Sequence, residues 1–219
     1  MGSVTVSDAS SPLNLPAGGV KHRSPFDGHT PGERPNRDGQ VGVRLMASTL
    51  GSVTLIGTWP SGVDALCAAL GSALGVAVPA VSGATVRVDD ALLARTGPEE
   101  FMLLCDHGPN RTAALRARIP AGVGSVTDLG HARCRIRVEG EHCRATLSKL
   151  FAIDLRVDAF GLEQVRLTGH PPVPGMLHRL GPDSFDLYVM STYAFDQLHT
   201  VIDAALEYGV ALQWTPSTM

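Results

Sequence analysis

The sequence predicts an α+β fold built from antiparallel or mixed sheets with helices packed on one face. Strand-like segments occur in pairs and triplets, and segments with helical periodicity follow them. The elements run in the order β-β-α-β-β-β-α-β-β-α-β-β-β-α, and no repeat of about 20 to 50 residues is evident. Groups of strands that alternate with helices in this way are typical of an α+β sheet covered on one side.

The composition indicates a globular protein with a core of small aliphatic residues. Of the 219 residues 44% are hydrophobic, but only 5% are aromatic, so Ala, Val and Leu must fill most of the core. Lys and Arg number 18 against 21 Asp and Glu, a net charge of −3. Because this balance provides no general field to hold a polyphosphate backbone, we expect no nucleic-acid partner.

Cysteine usage and hydropathy predict a cytoplasmic protein without a membrane partner. The four cysteines form no CxxC pair, which favours reduced thiols, and the first residues lack the pattern of a secretory signal. The stretch 65–86 is uncharged, but Gly71, Gly75 and Pro79 interrupt it. We therefore expect a buried helix, a turn and a strand there instead of a membrane span.

Three regions are predicted along the chain. Residues 1–40 hold five Pro, six Gly and five Ser with a single aromatic residue, Phe26, which predicts a disordered or extended N-terminal tail. Residues 41–210 are expected to form a single α+β domain. Residues 211–219 are expected to form a C-terminal tail.

The first half of this domain is predicted from alternation and capping signals. Two alternating segments, 41–45 and 53–57, predict two strands or a hairpin. Ser61 is a candidate N-cap of a helix that ends at Gly75, and the apolar spacing of this helix places Cys67 in the core. Further strands are predicted at 85–88, 92–95 and 101–105, followed by a short basic helix at 110–119.

The second half repeats the same kinds of signal. Residues 123–127 lead to another predicted strand at 134–138, and a helix follows from 141 to about 153 with Cys143 on its apolar face. Strands are then predicted at 164–167, 176–180 and 185–190. The final helix has an apolar stripe and is expected to end at Gly209; the stripe consists of Phe195, Leu198, Ile202, Ala205 and Leu206.

The sequence lacks the motifs that several enzyme classes require. The chain contains no GxSxG, GxxxxGK[ST] or HExxH motif and no GxGxxG after a strand, so no catalytic residue is assigned. His131, Cys134, His142 and Cys143 are of metal-ligand type and lie close in sequence. Because both thiols share a face with apolar residues, we expect them in the core and predict no metal site.

A row of arginines is the main candidate for a binding surface. Arg133, Arg135 and Arg137 alternate with core residues and follow Asp128 and His131. The row could receive a phosphate, the glutamate tail of a folate, or acidic residues of another subunit. A solvated sheet face paired with local Asp and Glu is an equally good interpretation, and Asp128 could be a turn acceptor instead of an acid or base.

The same residues carry a family resemblance. The run from Val126 to Gly140, with Asp128, His131 and the arginine row, resembles the aminomethyltransferase superfamily and the fold of the glycine-cleavage T-protein. Over about residues 85–210 the order of motifs is similar to the gamma subunit family of heterotetrameric sarcosine oxidase. Those motifs include segments 97–104, 152–155, 177–179, 185–189 and 192–194.

The resemblance implies a non-catalytic subunit with the T-protein folate-binding fold. In such a complex alpha-, beta- and delta-type subunits would hold FAD, FMN, NAD, zinc and tetrahydrofolate, and this chain alone would bind none of them. The complex would demethylate sarcosine to glycine and form H2O2 and 5,10-methylenetetrahydrofolate. The alternatives are a gamma-type subunit of an N-methylglutamate or other N-methyl amino acid dehydrogenase, or a stand-alone folate-binding T-protein-like protein.

Overall fold

A computed structural model describes residues 24–108, 110–170 and 173–214 of the chain. The helices are α1 (Val63–Leu74), α2 (Thr112–Arg118), α3 (Cys143–Leu150) and α4 (Ala194–Ala205). The strands are β1 (Gly32–Arg34), β2 (Val43–Thr49), β3 (Ser52–Gly57), β4 (Thr85–Val88), β5 (Ala91–Arg95), β6 (Glu100–Cys105), β7 (Ser125–Gly130), β8 (Arg133–Glu139), β9 (Val165–His170), β10 (Val173–Gly181), β11 (Ser184–Met190) and β12 (Val210–Trp214).

The strands form two sheets. The larger has seven strands in the order β1-β12-β2-β8-β11-β10-β9 and is mixed, because β12 pairs with β2 in parallel while its other pairs are antiparallel. The smaller has five antiparallel strands in the order β4-β5-β6-β3-β7. The predicted α+β class with antiparallel and mixed sheets is confirmed.

Each sheet carries its helices on one face and turns the other face towards the second sheet. On the seven-stranded sheet, α3 and α4 cover a core that includes Ile136, Leu147 and Leu198. On the five-stranded sheet, α1 and α2 cover a second core around Leu66 and Phe101. A third apolar layer joins the sheets; it contains Leu50, Val53, Leu92, Ala94, Met102, Leu104, Val165, Met176 and Tyr188. The sheets therefore pack face to face, with helices outside.

The segments 41–45 and 53–57 lie in separate strands and do not form a hairpin. Strand β2 lies between β12 and β8, whereas β3 lies between β6 and β7. The chain crosses from one sheet to the other at Leu50 and Gly51, where Leu50 is buried between the sheets and the N–H of Gly51 donates to the carbonyl of Cys105 at 2.9 Å. The prediction offered two strands or a hairpin, and the structure contains two separate strands.

Two helices differ in detail from the prediction. Helix α1 begins at Val63 after a 3₁₀ turn that contains Ser61, so the predicted N-cap is wrong, while Gly75 ends the helix with φ 69°. Cys67 is only partly buried, although it packs against the predicted core. Phe195 of α4 is 48% exposed and lies off the buried stripe.

Both predicted tail boundaries need correction. Phe26 is fully buried in the core under α4, and β1 pairs with β12 at the edge of the seven-stranded sheet. Strand β12 itself continues to Trp214, four residues beyond the predicted end at 210. The tail was predicted from the average composition of a segment rich in Pro and Gly, and such an average hides a single anchoring aromatic residue. This explains why residues 24–40 were wrongly assigned to a tail. The remaining parts of the predicted tails, 1–23 and 215–219, lie outside the described residues.

Candidate functional site

The arginine row of β8 lies on the face of the seven-stranded sheet that is turned towards the other sheet. Along this strand buried and half-buried residues alternate, as the sequence predicted. The buried positions are Cys134, Ile136 and Val138, each no more than 1% exposed, in the core under α3 and α4. Their neighbours Arg133, Arg135 and Arg137 therefore share the opposite face.

Arg137 is neutralised inside the chain. Its Nε and Nη2 donate to the two carboxylate oxygens of Asp186 at 2.8 and 2.9 Å, and Asp186 is fully buried. These hydrogen bonds and the charge of Asp186 raise the pKa of the Arg137 guanidinium against the opposing effect of burial. This arginine therefore stabilises the pairing of β8 with β11.

Arg135 is also neutralised, but by a residue of the second sheet. Its Nη1 donates to both oxygens of Asp106, each at 2.7 Å. Asp106 directly follows β6, so the ion pair joins the two sheets. Burial opposes the charged form, but Asp186 and Asp106 outweigh it and the pKa of Arg135 is raised. The predicted pairing of the row with Asp and Glu is present at Arg135 and Arg137. The partners are not local, because they lie 29 and 49 residues away, and the face is turned towards the second sheet instead of solvent.

Arg133 is different, because it makes no ion pair within the described ranges. It lines a cavity of about 230 Å³ together with Thr96, Met176 and Tyr188. The carboxylate that acts on it is Glu100, which instead accepts a hydrogen bond from Thr96 at 2.7 Å. Burial lowers the pKa of Arg133, as expected for a cation that is withdrawn from water without a contacting anion. Arg133 is thus the member of the row that no carboxylate of the described residues contacts.

Asp128 lies near the end of β7, and His131 lies in the turn that joins β7 to β8. The carboxylate of Asp128 accepts hydrogen bonds from the backbone N–H of Gly130 and the side-chain amide of Asn110, both at 2.7 Å, and these bonds hold its pKa below the usual range. His131 Nδ1 lies 3.3 Å from the carbonyl oxygen of Leu50. Asp128 is therefore a turn acceptor, and ligand binding by either residue stays a prediction.

Three of the four cysteines are poor nucleophiles in this environment. Cys105, Cys134 and Cys143 are buried, and burial raises the pKa of all three thiols, that of Cys143 to about 11. Among residues 24–108, 110–170 and 173–214, no three His, Cys, Asp or Glu side chains are grouped so that they could hold a metal ion. Within the same ranges no helix is long and apolar enough to cross a bilayer.

Sequence reasoning missed two buried basic residues of β10. His178 lies between the sheets and is fully buried, with Nε2 3.0 Å from Glu163 Oε2, and its Nδ1 has no hydrogen-bond partner in the described part of the chain. Arg179 points to the other face and donates to the carbonyls of Leu155 and Phe160 at 3.2 and 2.8 Å. Two successive basic residues within an apolar strand were the available signal.

Curated relatives of the chain share one description. The sarcosine oxidase subunit gamma of Arthrobacter sp. is 30% identical over 172 residues, which cover 78% of this chain and 77% of that protein. The subunit gamma of Corynebacterium sp. (strain U-96) is 29% identical over 145 residues, covering 66% and 71%. That of Corynebacterium sp. (strain P-1) is 28% identical over 170 residues, covering 78% and 77%. No family model matches the chain.

Solved structures agree with this description. A chain of the heterotetrameric sarcosine oxidase from Corynebacterium sp. U-96, in complex with pyrrole 2-carboxylate, superimposes with a TM-score of 0.69 at 26% identity and covers 76% of this chain and 85% of that one. The glycine cleavage system aminomethyltransferase T from Bartonella henselae has a TM-score of 0.57 at 16% identity, covering 81% and 48%, and so shares the fold. By its identity to the Arthrobacter subunit over most of both chains, this chain belongs to the sarcosine oxidase gamma subunit family.

Proposed function

We propose that this chain is the non-catalytic gamma subunit of a heterotetrameric sarcosine oxidase. The observation that carries the proposal is the superposition on a chain of such an oxidase over 85% of that chain, with a TM-score of 0.69. In the proposed complex the partners are alpha-, beta- and delta-type subunits, and the compartment is the cytoplasm. Those subunits hold FAD, FMN, NAD, zinc and tetrahydrofolate.

The chemistry of the chain's own polar groups supports a structural role. Arg135 and Arg137 form ion pairs with Asp106 and Asp186, so they stabilise the packing of the two sheets instead of facing a substrate. The buried thiols have raised pKa values and are protonated at neutral pH. A rigid two-sheet module with neutralised internal charges is suited to packing against larger subunits.

The proposed reaction belongs to the complex as a whole. It demethylates sarcosine oxidatively to glycine, with H2O2 and 5,10-methylenetetrahydrofolate as further products. Within it this chain packs against the larger subunits and helps to enclose the route by which the reactive imine product reaches folate. Enclosure matters because an imine hydrolyses when water reaches it.

Co-purification from the native host tests the proposal. A tagged copy of the chain should recover flavin-containing subunits that, as a complex, form H2O2 from sarcosine. The same tagged chain produced without those subunits is the control, and we expect no turnover from it. Recovery of the tagged chain alone from the native host would contradict the proposal.

Two further measurements separate the alternatives. Turnover of N-methylglutamate instead of sarcosine by the recovered complex would place the chain in a sister dehydrogenase. Calorimetry of the isolated chain with tetrahydrofolate addresses the stand-alone alternative, which predicts binding in the micromolar range. We expect no heat of binding, because two of the three arginines of the row, Arg135 and Arg137, are already paired with carboxylates of this chain and Arg133 alone remains.

A further inference from the structure

The outer part of β9 carries an exposed leucine between three arginines. Leu167 is 60% exposed. On one side it lines the cavity of about 230 Å³ that contains Arg133, and on the other it lines a second cavity, of about 190 Å³, that contains Arg95 and Arg166. We call Leu167 and these three arginines the β9 patch.

Two of these arginines are held in place by groups that leave their charge uncompensated. Arg95 donates to the backbone carbonyls of Pro79, Ala80 and Pro98, including a bond of 2.6 Å to Ala80. Arg166 donates to the side-chain amide oxygen of Gln164 at 2.9 Å and to the carbonyl of Ala159 at 3.3 Å. Neither arginine forms an ion pair within the described residues, so neutral dipoles orient the guanidinium groups without cancelling their charge.

Arg133 adds a third positive charge, and one carboxylate lies nearby. Glu100 lines the same cavity, but its side chain is engaged by Thr96 and is not in ion-pair contact with Arg133. The patch thus holds three cations against one anion. Half-buried cations without contacting anions are costly, and carboxylates of a second molecule would relieve that cost.

Strand β9 also presents an open edge. It is the last strand of the seven-stranded sheet, and on its outer side the N–H of Val165 donates to the carbonyl of Gly83 at 2.7 Å. Since backbone groups alternate in direction along a strand, those of Leu167 and Gly169 point to the same outer side. No described strand pairs with them there, and an unpaired edge can accept another strand.

We propose that the β9 patch is the docking surface for an acidic, extended segment of a larger subunit of the same oxidase. The segment pairs with the edge of β9, covers Leu167 and places carboxylates against the three arginines. Charge complementarity identifies the partner chemistry, while the open edge and the exposed leucine call for a polypeptide and not a small acid. This inference rests on the proposed function.

The test compares matched variants of the tagged chain, each co-purified from the native host. Leu167→Glu adds an anion that repels an acidic segment and removes the apolar contact, and Arg133→Glu reverses one charge of the patch. The controls are Leu206→Glu, at an exposed leucine after α4, and Arg118→Glu, at an exposed arginine that donates to the carbonyl of Ala73. We expect both patch variants to recover about tenfold less flavoprotein than the wild type, and both controls to recover wild-type amounts.

Further measurements distinguish a loss of docking from a loss of folding. Arg133→Lys keeps the charge and should restore most of the recovery, and all variants should unfold at temperatures close to that of the wild type. Equal recovery by wild-type and patch variants would overturn the docking surface while leaving the proposed function intact. Failure of the wild type to recover any flavoprotein would overturn both. A dimer of the isolated chain that Leu167→Glu dissociates would assign the patch to a second copy and overturn the inference.

Discussion

Arg137 and Asp186 face each other across β8 and β11 as register partners and share two hydrogen bonds of 2.8 and 2.9 Å. Asp186 is fully buried, whereas the Arg137 side chain is 28% exposed. His178 continues the same row on β10 as the register partner of Asp186. The inner face of the sheet thus contains a row of three polar residues. Asp186 lies at its centre, forms an ion pair with Arg137 on one side and lies beside His178 on the other.

Removal of that anion should destabilise the fold. Asp186→Ala leaves Arg137 largely buried with only Glu139, 3.9 Å away, as a nearby carboxylate. We expect the free energy of unfolding to fall by about 2–3 kcal/mol, somewhat less than the roughly 3–5 kcal/mol for a fully buried ion pair, because Arg137 is partly solvated. Urea unfolding of the purified chain measures the change.

Asp183→Ala is the matched control for this substitution. Asp183 pairs with Arg144 at 3.4 Å, but both side chains are nearly half exposed. Its removal should change the free energy of unfolding by less than about 1 kcal/mol. Equal losses for the two variants would show that burial of Asp186 does not govern the strength of its ion pair.

The burial of His178 predicts a dependence of stability on pH. Burial lowers the pKa of His178 and outweighs the opposing charge of Glu163, so the imidazole is neutral in the folded chain near pH 7. The unfolded chain takes up a proton near pH 6.5, where the folded chain does not. Stability is therefore fully present above about pH 6.5 and is lost as the pH falls, by up to about 1.4 kcal/mol per pH unit.

Unfolding in urea between about pH 7 and pH 5 checks this prediction. His178→Gln should lower the slope of stability against pH, whatever its effect on stability at pH 7. His199→Gln removes an imidazole that is 62% exposed and should keep the wild-type slope. A wild-type slope in the His178 variant would contradict the assignment.

Sequence periodicity predicted the interior of the fold better than its ends. The order from β2 to α4 follows the predicted alternation, because each of these elements has enough apolar residues to show its own period. Strand β1 has three exposed residues and no such period. Its position depends on pairing with β12 and on Phe26, both of which are set by tertiary contacts.

The candidate site shows the same division between local and long-range information. Alternation along β8 correctly placed the arginine row opposite the core. It did not identify the partners, since Asp106 and Asp186 lie 29 and 49 residues away from Arg135 and Arg137. Only the register of β8 against β11, and the packing of one sheet on the other, brings those carboxylates into contact.

Thiol reactivity should distinguish one cysteine from the other three. Cys105, Cys134 and Cys143 are at most 1% exposed and have raised pKa values, whereas Cys67 on α1 is partly exposed. An aromatic disulfide reagent at mildly alkaline pH should therefore modify one thiol of the folded chain quickly. Cys67→Ser should abolish this fast phase, and two or more fast thiols in the wild type would contradict the described burial.

Phe26 should anchor the segment that precedes β1. Its ring is fully buried in the core under α4, and β1 begins six residues later at the edge of the seven-stranded sheet. Phe26→Ala should lower the free energy of unfolding by about 3 kcal/mol, because it leaves a cavity in a closed core. It should also speed tryptic cleavage after Arg37, since the strand loses its attachment. Tyr193→Ala, at a side chain that is 46% exposed, is the control and should cost less than about 1 kcal/mol. If the two variants unfolded alike and resisted trypsin equally, Phe26 would not be the residue that holds this segment against the sheet.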